Sequence, residues 1–77
     1  MNKDRRKRVE EVCASVTQAI SSLEEVRDEA QEALDRVPES FEEKRERMDN
    51  AIATLEEQIE NLQAAESGLQ ELIDGEG

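Results

Sequence analysis

Adjacent carboxylates, such as Glu24-Glu25, Glu42-Glu43 and Glu56-Glu57, and a single cysteine, Cys13, are the residues from which this chain could build chemistry. Paired carboxylates do acid–base work or hold a cation only when their oxygens converge on one point. Neighbours in a helix point about 100° apart, and no calcium-loop spacing surrounds any pair, so a solvated helix face is the expected reading. Cys13 has no histidine in the chain to activate it and reads as a small buried hydrophobe, with a disulfide between two copies as the alternative. One cysteine and no histidine exclude an internal disulfide and a zinc site of the usual Cys/His type. Phe41 is the only aromatic residue, which removes base-stacking platforms and most routes to a cofactor pocket. No catalytic residue, cofactor or metal is expected, and the chain reads as a non-enzyme.

The elements that carry these residues are legible from periodicity. Charged residues make up 40% of the 77 and the formal charge is −11, a composition that fits disorder unless a pattern argues otherwise. Val9, Val16, Leu23, Ala30 and Val37 recur every seven residues, with Val12, Ala19, Val26 and Ala33 three places after the first four. These are a and d positions of a heptad. Cys13, Ile20 and Leu34 add an e-position flank and widen the stripe toward that of a bundle helix. In the second half Phe41, Met48, Leu55, Leu62 and Leu69 share the seven-residue spacing, interleaved with Ile52, Ile59 and Ile73. No stretch alternates with period two, so strands are excluded.

The one proline divides the pattern. Pro38 biases Val37 away from helical geometry, and Ser40 with Glu43 forms an S-x-x-E capping box that starts a helix at Phe41. The spacing predicts a single all-α domain over 1–77, an antiparallel, coiled-coil-like helical hairpin: helix 1 over 3–36, a turn at 37–40 and helix 2 over 41–73. Each helix is roughly 50 Å long. Folding the chain there brings Ala30 and Ala33 toward Phe41, Arg45 and Met48, and lays the basic start KDRRKR beside the acidic end, where Asp74 and Glu76 sit. Ser67-Gly68, with Gln70 as a second capping residue, marks a place where helix 2 is expected to bend or fray. Arg45 and Glu66 interrupt the isoleucine series, either as register- or partner-fixing residues or as side chains snorkelling to the seam's edge. Arg27 interrupts the e flank, as an interhelical salt bridge or as an exposed recognition residue.

A lone hairpin leaves much of both stripes wet. Two hairpins packed face to face into a four-helix homodimer bury them, with Val16, Ile20, Leu23, Met48, Ile52, Leu55, Ile59 and Leu62 as the expected dimer core. The outer charge is distributed unevenly: after Arg47 there is no cation, while carboxylates continue through Glu56, Glu57 and Glu60 to the end. A rod lined with carboxylates presents to a basic cleft roughly what a nucleic-acid backbone presents; the plain alternative is solubility. Direct nucleic-acid binding is not expected of so acidic a chain. No apolar run is long enough for a signal peptide or a membrane span, which leaves a cytoplasmic location with no membrane contact as the expectation.

The stretches MNKDRRKRVEEV, RDEAQEALDRVPES and AIATLEEQIENLQ resemble a group of short, acidic, uncharacterised helical-hairpin proteins of phages, prophages and mobile elements. They share an Arg/Lys-rich start, an R-D-E-x-Q-E stretch, an x-P-E-S/N turn and a Glu-rich second helix. The resemblance implies a phage-encoded inhibitor of a bacterial defence or nucleic-acid-processing protein, acting in the host cytoplasm on a host protein with a basic surface. Acidic nucleic-acid mimicry through Glu56, Glu57 and Glu60 is one mode of binding. A structural or adaptor coiled coil, or an antitoxin-like module that binds a partner helix, is the alternative, with Arg27, Asp28 and Gln31 as its candidate contact region.

Overall fold

The chain reverses through main-chain hydrogen bonds and one long side chain, without any residue in the left-handed region. The computed structural model describes residues 1–75, of which α1 takes Lys3–Asp35 and α2 takes Glu42–Gly75. The link is therefore 36–41, slightly wider than the expected turn, and α2 runs two residues past 73. In place of a capping box at Ser40, the Phe41 N–H donates to the Pro38 carbonyl at 3.0 Å, and the Phe41 carbonyl accepts the first helical bond of α2 from the Arg45 N–H at 2.9 Å. The turn over Pro38 thus holds Ser40 inside the link, where its hydroxyl makes no hydrogen bond among the described residues. No described residue has positive φ, so the reversal needs no glycine.

Both ends of α1 are closed from outside the helix. Asn2, in extended backbone, accepts from the Arg5 N–H at 2.8 Å through its side-chain oxygen, and its carbonyl takes the Arg6 N–H at 3.0 Å. At the other end the Arg36 and Val37 N–H groups turn back on the Ala33 and Leu34 carbonyls at 3.2 and 3.0 Å. The last turn of α1 contains no basic residue. Arg45 supplies the missing cation from α2: its Nη1 donates to the Leu34 carbonyl at 3.1 Å and to the Val37 carbonyl at 2.6 Å. Arg45 therefore serves the fold by joining the two helices across the turn.

The hairpin seam follows a different row of α1 from the one its heptads suggest. The buried side chains are Cys13, Ile20 and Leu34 on α1 and Ile52, Ile59 and Ile73 on α2. Val9, Val16, Leu23 and Ala30 are half-buried beside the first set, as are Met48, Leu55, Leu62 and Leu69 beside the second. Of the expected d positions, Val12 is 53% and Val26 45% exposed and Ala33 is exposed too, while Ala19 is half-buried. The correction is geometric. Rows on either side of the a positions were both apolar, and the row that faces α2 is the one with Ile20 and Leu34, whose larger side chains fill the space between helix axes. Across the seam Arg45 meets Leu34 and Val37 near the turn, and Thr17 meets Glu66 in the other half of the rod.

The basic start lies along the last turns of α2, where Arg5 and Arg8 share a groove with Leu69. Within α1, Arg8 pairs with Asp4 at 3.3 Å and Arg6 with Glu10 at 3.8 Å. Asp74 accepts from Gln70 at 3.1 Å, and Glu76 lies outside the described residues. One expectation is corrected: α2 passes through Ser67-Gly68 as continuous helix, and a Cβ added at Gly68 would meet nothing within 4 Å.

Gly68→Ala should raise stability by about 0.5–1 kcal/mol, read as a higher melting temperature by circular dichroism. Arg45→Met keeps the aliphatic stem but leaves the Leu34 and Val37 carbonyls without their charged donor. A loss of about 1–2 kcal/mol is expected in urea denaturation, against no loss if Arg45 were only surface charge.

Candidate interaction surfaces

Because each helix offers one row to the other, the hairpin has two long sides, and their chemistry differs. On α2, stepping round one way from the buried isoleucines reaches Asp49 and Glu56, then Glu46, Glu60 and Asp74, then Glu57 and Glu71. Stepping the other way reaches the half-buried leucines, then Ala51, Gln58, Ala65 and Leu72, then Arg47, Thr54, Asn61 and Gly68, with no carboxylate among them. On α1 the first side carries Glu10, Thr17, Glu24 and Gln31, with Asp28 and Asp35 beyond. The second carries the Val12, Ala19, Val26, Ala33 row and then Arg8, Ser15, Ser22 and Glu29, where Glu29 is the one acid.

Contacts place these rows on opposite sides. Thr17 Oγ1 donates to Glu66 Oε2 across the helices, and Glu10, Cys13, Thr17, Gln70 and Ile73 line one hollow on the acidic side. Arg5, Arg8, Val9, Val12 and Leu69 line an apolar groove on the other. Every large apolar side chain that is more than a third exposed belongs to that second side: Met1, Val12, Val26, Phe41 and Leu72, with Phe41 at 54% and Leu72 at 41%. An acidic side and an apolar, nearly acid-free side thus run the length of a rod whose Cα extents are 58 × 14 × 12 Å.

The seam's polar residues are accounted for within the chain. Thr17 has one hydroxyl proton and lies near both the Cys13 carbonyl and the Glu66 carboxylate, and the charged oxygen is the stronger acceptor. Glu66 is half-buried and bridges the helices through this bond. Arg27 makes no interhelical salt bridge. Its guanidinium pairs with the adjacent Asp28 at 3.1 Å, so the half-buried stem stays in the row while the head is held on α1's own surface. Gln31 donates to Asp35 at 3.1 Å. Arg27, Asp28 and Gln31 are therefore bound up on α1's own surface, whereas Glu56, Glu57 and Glu60 are exposed and make no side-chain hydrogen bond or ion pair among the described residues.

Of the expected dimer core, Ile20, Ile52 and Ile59 are buried by their own hairpin and need no second copy. Val16, Leu23, Met48, Leu55 and Leu62 are half-buried and open toward the apolar side. Cys13 is a free thiol, buried between the helices, and lines the hollow on the acidic side. No group of three or more His, Cys, Asp or Glu that could hold a metal ion occurs among the described residues, and no described helix is long and apolar enough to cross a membrane. Comparison with protein-family models, curated proteins and solved structures finds no match for this chain.

Under oxidising conditions Cys13 should stay a free thiol that reacts slowly with a thiol reagent until denaturant is added. A covalent dimer through Cys13 would contradict its burial between the helices.

Proposed function

We propose that this chain is a non-enzymatic protein-binding module. Two copies pair through their apolar sides into a homodimeric four-helix bundle, and the acidic sides then face outward against a basic surface of another protein. The observation that carries the reading is the separation of charge: a side rich in carboxylates, of which exposed Glu56, Glu57 and Glu60 have no partner among the described residues, and a nearly acid-free apolar side opposite. Acidity serving solubility alone has no reason to be confined to one side of a rod. A phosphate-like row of carboxylates at helical spacing suits a cleft that normally holds nucleic acid. The resemblance to small phage proteins makes a bacterial defence or nucleic-acid-processing protein in the host cytoplasm the first target to test.

The adaptor or antitoxin-like reading draws on a specific feature too, the groove of Val9, Val12 and Leu69 with Phe41 and Leu72 exposed at opposite ends of the same side. An amphipathic helix of a partner would lie there in place of the second copy.

Salt separates the two. Self-pairing of chains that each carry −11 should tighten as salt is raised, whereas binding to a basic cleft should weaken by well over tenfold between about 50 and 200 mM salt if about four or more contacts are charged. Glu56→Lys, Glu57→Lys and Glu60→Lys together move the formal charge from −11 to −5 on residues outside every apolar row. The triple variant should keep its helicity and dimer mass and lose capture of the target from a bacterial lysate, and the target's own nucleic acid should compete with the parent protein. Undiminished capture with no competition would rule out the acidic side and transfer the binding role to the apolar groove.

A further inference from the structure

We propose, building on the reading of a partner helix on the apolar side, that the helix bound there is apolar along its middle and acidic at both ends. The rows that form this side carry a charge opposite to that of the whole chain. One heptad before Val12 stands Arg5, and one heptad before Ala51 stands Lys44. With Arg8 and Arg47, which lie in the two outer rows, the side holds four cations against a single acid, Glu29, in a chain of formal charge −11.

These cations stand at the two ends of the side. Arg5 and Arg8 line the groove with Val9, Val12 and Leu69 at one end of the rod, and Lys44 and Arg47 line a hollow with Phe41 at the other. Glu42 and Glu43 share that second hollow, but they begin the rows that continue through Glu56 and Glu57 and belong to the acidic side. All four cations are exposed. Arg5, Lys44 and Arg47 make no side-chain hydrogen bond or ion pair among the described residues, and Arg8 has only Asp4, one turn away on its own helix. Because the helices are antiparallel, the two pairs are separated by roughly 27 residues of helix, about 40 Å. The surface between them is apolar or uncharged apart from Glu29.

A second copy is the competing occupant, and it suits these cations less, since it brings the same four and offers only Glu29 in return. A helix with carboxylates in its first and last turns meets both ends at once, whichever way it runs, and lays its apolar middle on the half-exposed Val12 and Val26. Net charge sharpens the choice. A body of charge −11 attracts basic helices at long range, so a preference for acidic ends has to come from the local cations. The acidic side faces outward with either occupant.

Two synthetic probes test this against the full-length chain: fluorescently labelled peptides as long as either helix, with leucine at a and d through the middle and either glutamate or lysine in the first and last turns. At low salt the Glu-ended peptide should bind about tenfold tighter than the Lys-ended one, and the two should converge as salt is raised to about 0.5 M. Arg5→Glu with Lys44→Glu should reverse the preference. Lys3→Glu with Lys7→Glu makes the same change in formal charge, from −11 to −15, on rows of the acidic side, and should keep the preference for Glu ends. All four substitutions put an acid near a helix N-terminus, where the dipole favours it, so circular dichroism should show helicity retained. Equal binding of the two peptides, or tighter binding of the Lys-ended one, overturns the acidic character of the partner and leaves the partner-helix reading standing. Binding of neither overturns both. A reversal produced by the Lys3 and Lys7 pair as well would overturn the role given to the cations of the apolar side.

Discussion

Two helices share only one interface, and this limit governs everything else in the molecule. A helix in a two-helix hairpin can bury one row of side chains and half-bury a second, because the rest of its circumference has no neighbour. Here the buried set is six side chains, none of them fully enclosed. The radius of gyration is 17.4 Å, where a compact chain of this length would have about 11.5 Å. A core of this size is small for a free-standing domain, and chains in this range without disulfides or metals are usually held by a partner subunit. The apolar side follows from the same limit. Residues that repeat every seven places continue round each helix past the row its neighbour can cover.

Heptad spacing made the all-α hairpin legible, and a single Pro38 made its midpoint legible, because both signals are local and neither depends on what packs against what. The identity of the seam row was not legible in α1. Three adjacent rows were apolar there, and composition cannot say which of them turns toward α2 when a second, unseen neighbour competes for the others. Valine and alanine at 12, 19, 26 and 33 looked like the inner row only because they were counted from Val9. Counted from Ile20 and Leu34, they form the outer edge. The capping box failed for a related reason. Ser40 and Glu43 have the right spacing, but the turn needs Ser40 within it, and a main-chain bond to Pro38 decides where the helix starts.

The sidedness of the charge depends on the same seam. Charge read along the chain shows an excess of carboxylates after Arg47 and little more. Charge read round each helix from the true seam shows that the excess belongs to one side. Glu56, Glu57 and Glu60 were legible as candidates, since they lie off every apolar row, but their common direction and the acid-free character of the opposite side emerge only when the helices are oriented. Arg27, Asp28 and Gln31 fare differently. An interruption in an apolar row looks like a recognition site in the sequence, yet Arg27 is absorbed by its neighbour Asp28 and Gln31 by Asp35.

The polar residues left in the seam explain why the hairpin keeps one register. Ile52, Ile59 and Ile73 would pack almost as well against α1 if α2 slid by a heptad, since apolar contact is weakly directional and the pattern repeats. Two contacts do not survive that slide. Arg45 reaches the Leu34 and Val37 carbonyls only from its own level near the turn, and Glu66 meets Thr17 only at the opposite half of the rod. A polar group withdrawn from its partner in a half-buried seam loses a charge-assisted bond without recovering full hydration, so each contact penalises the wrong register more than it stabilises the right one. The link of six residues, 36–41, has little slack to permit sliding in any case.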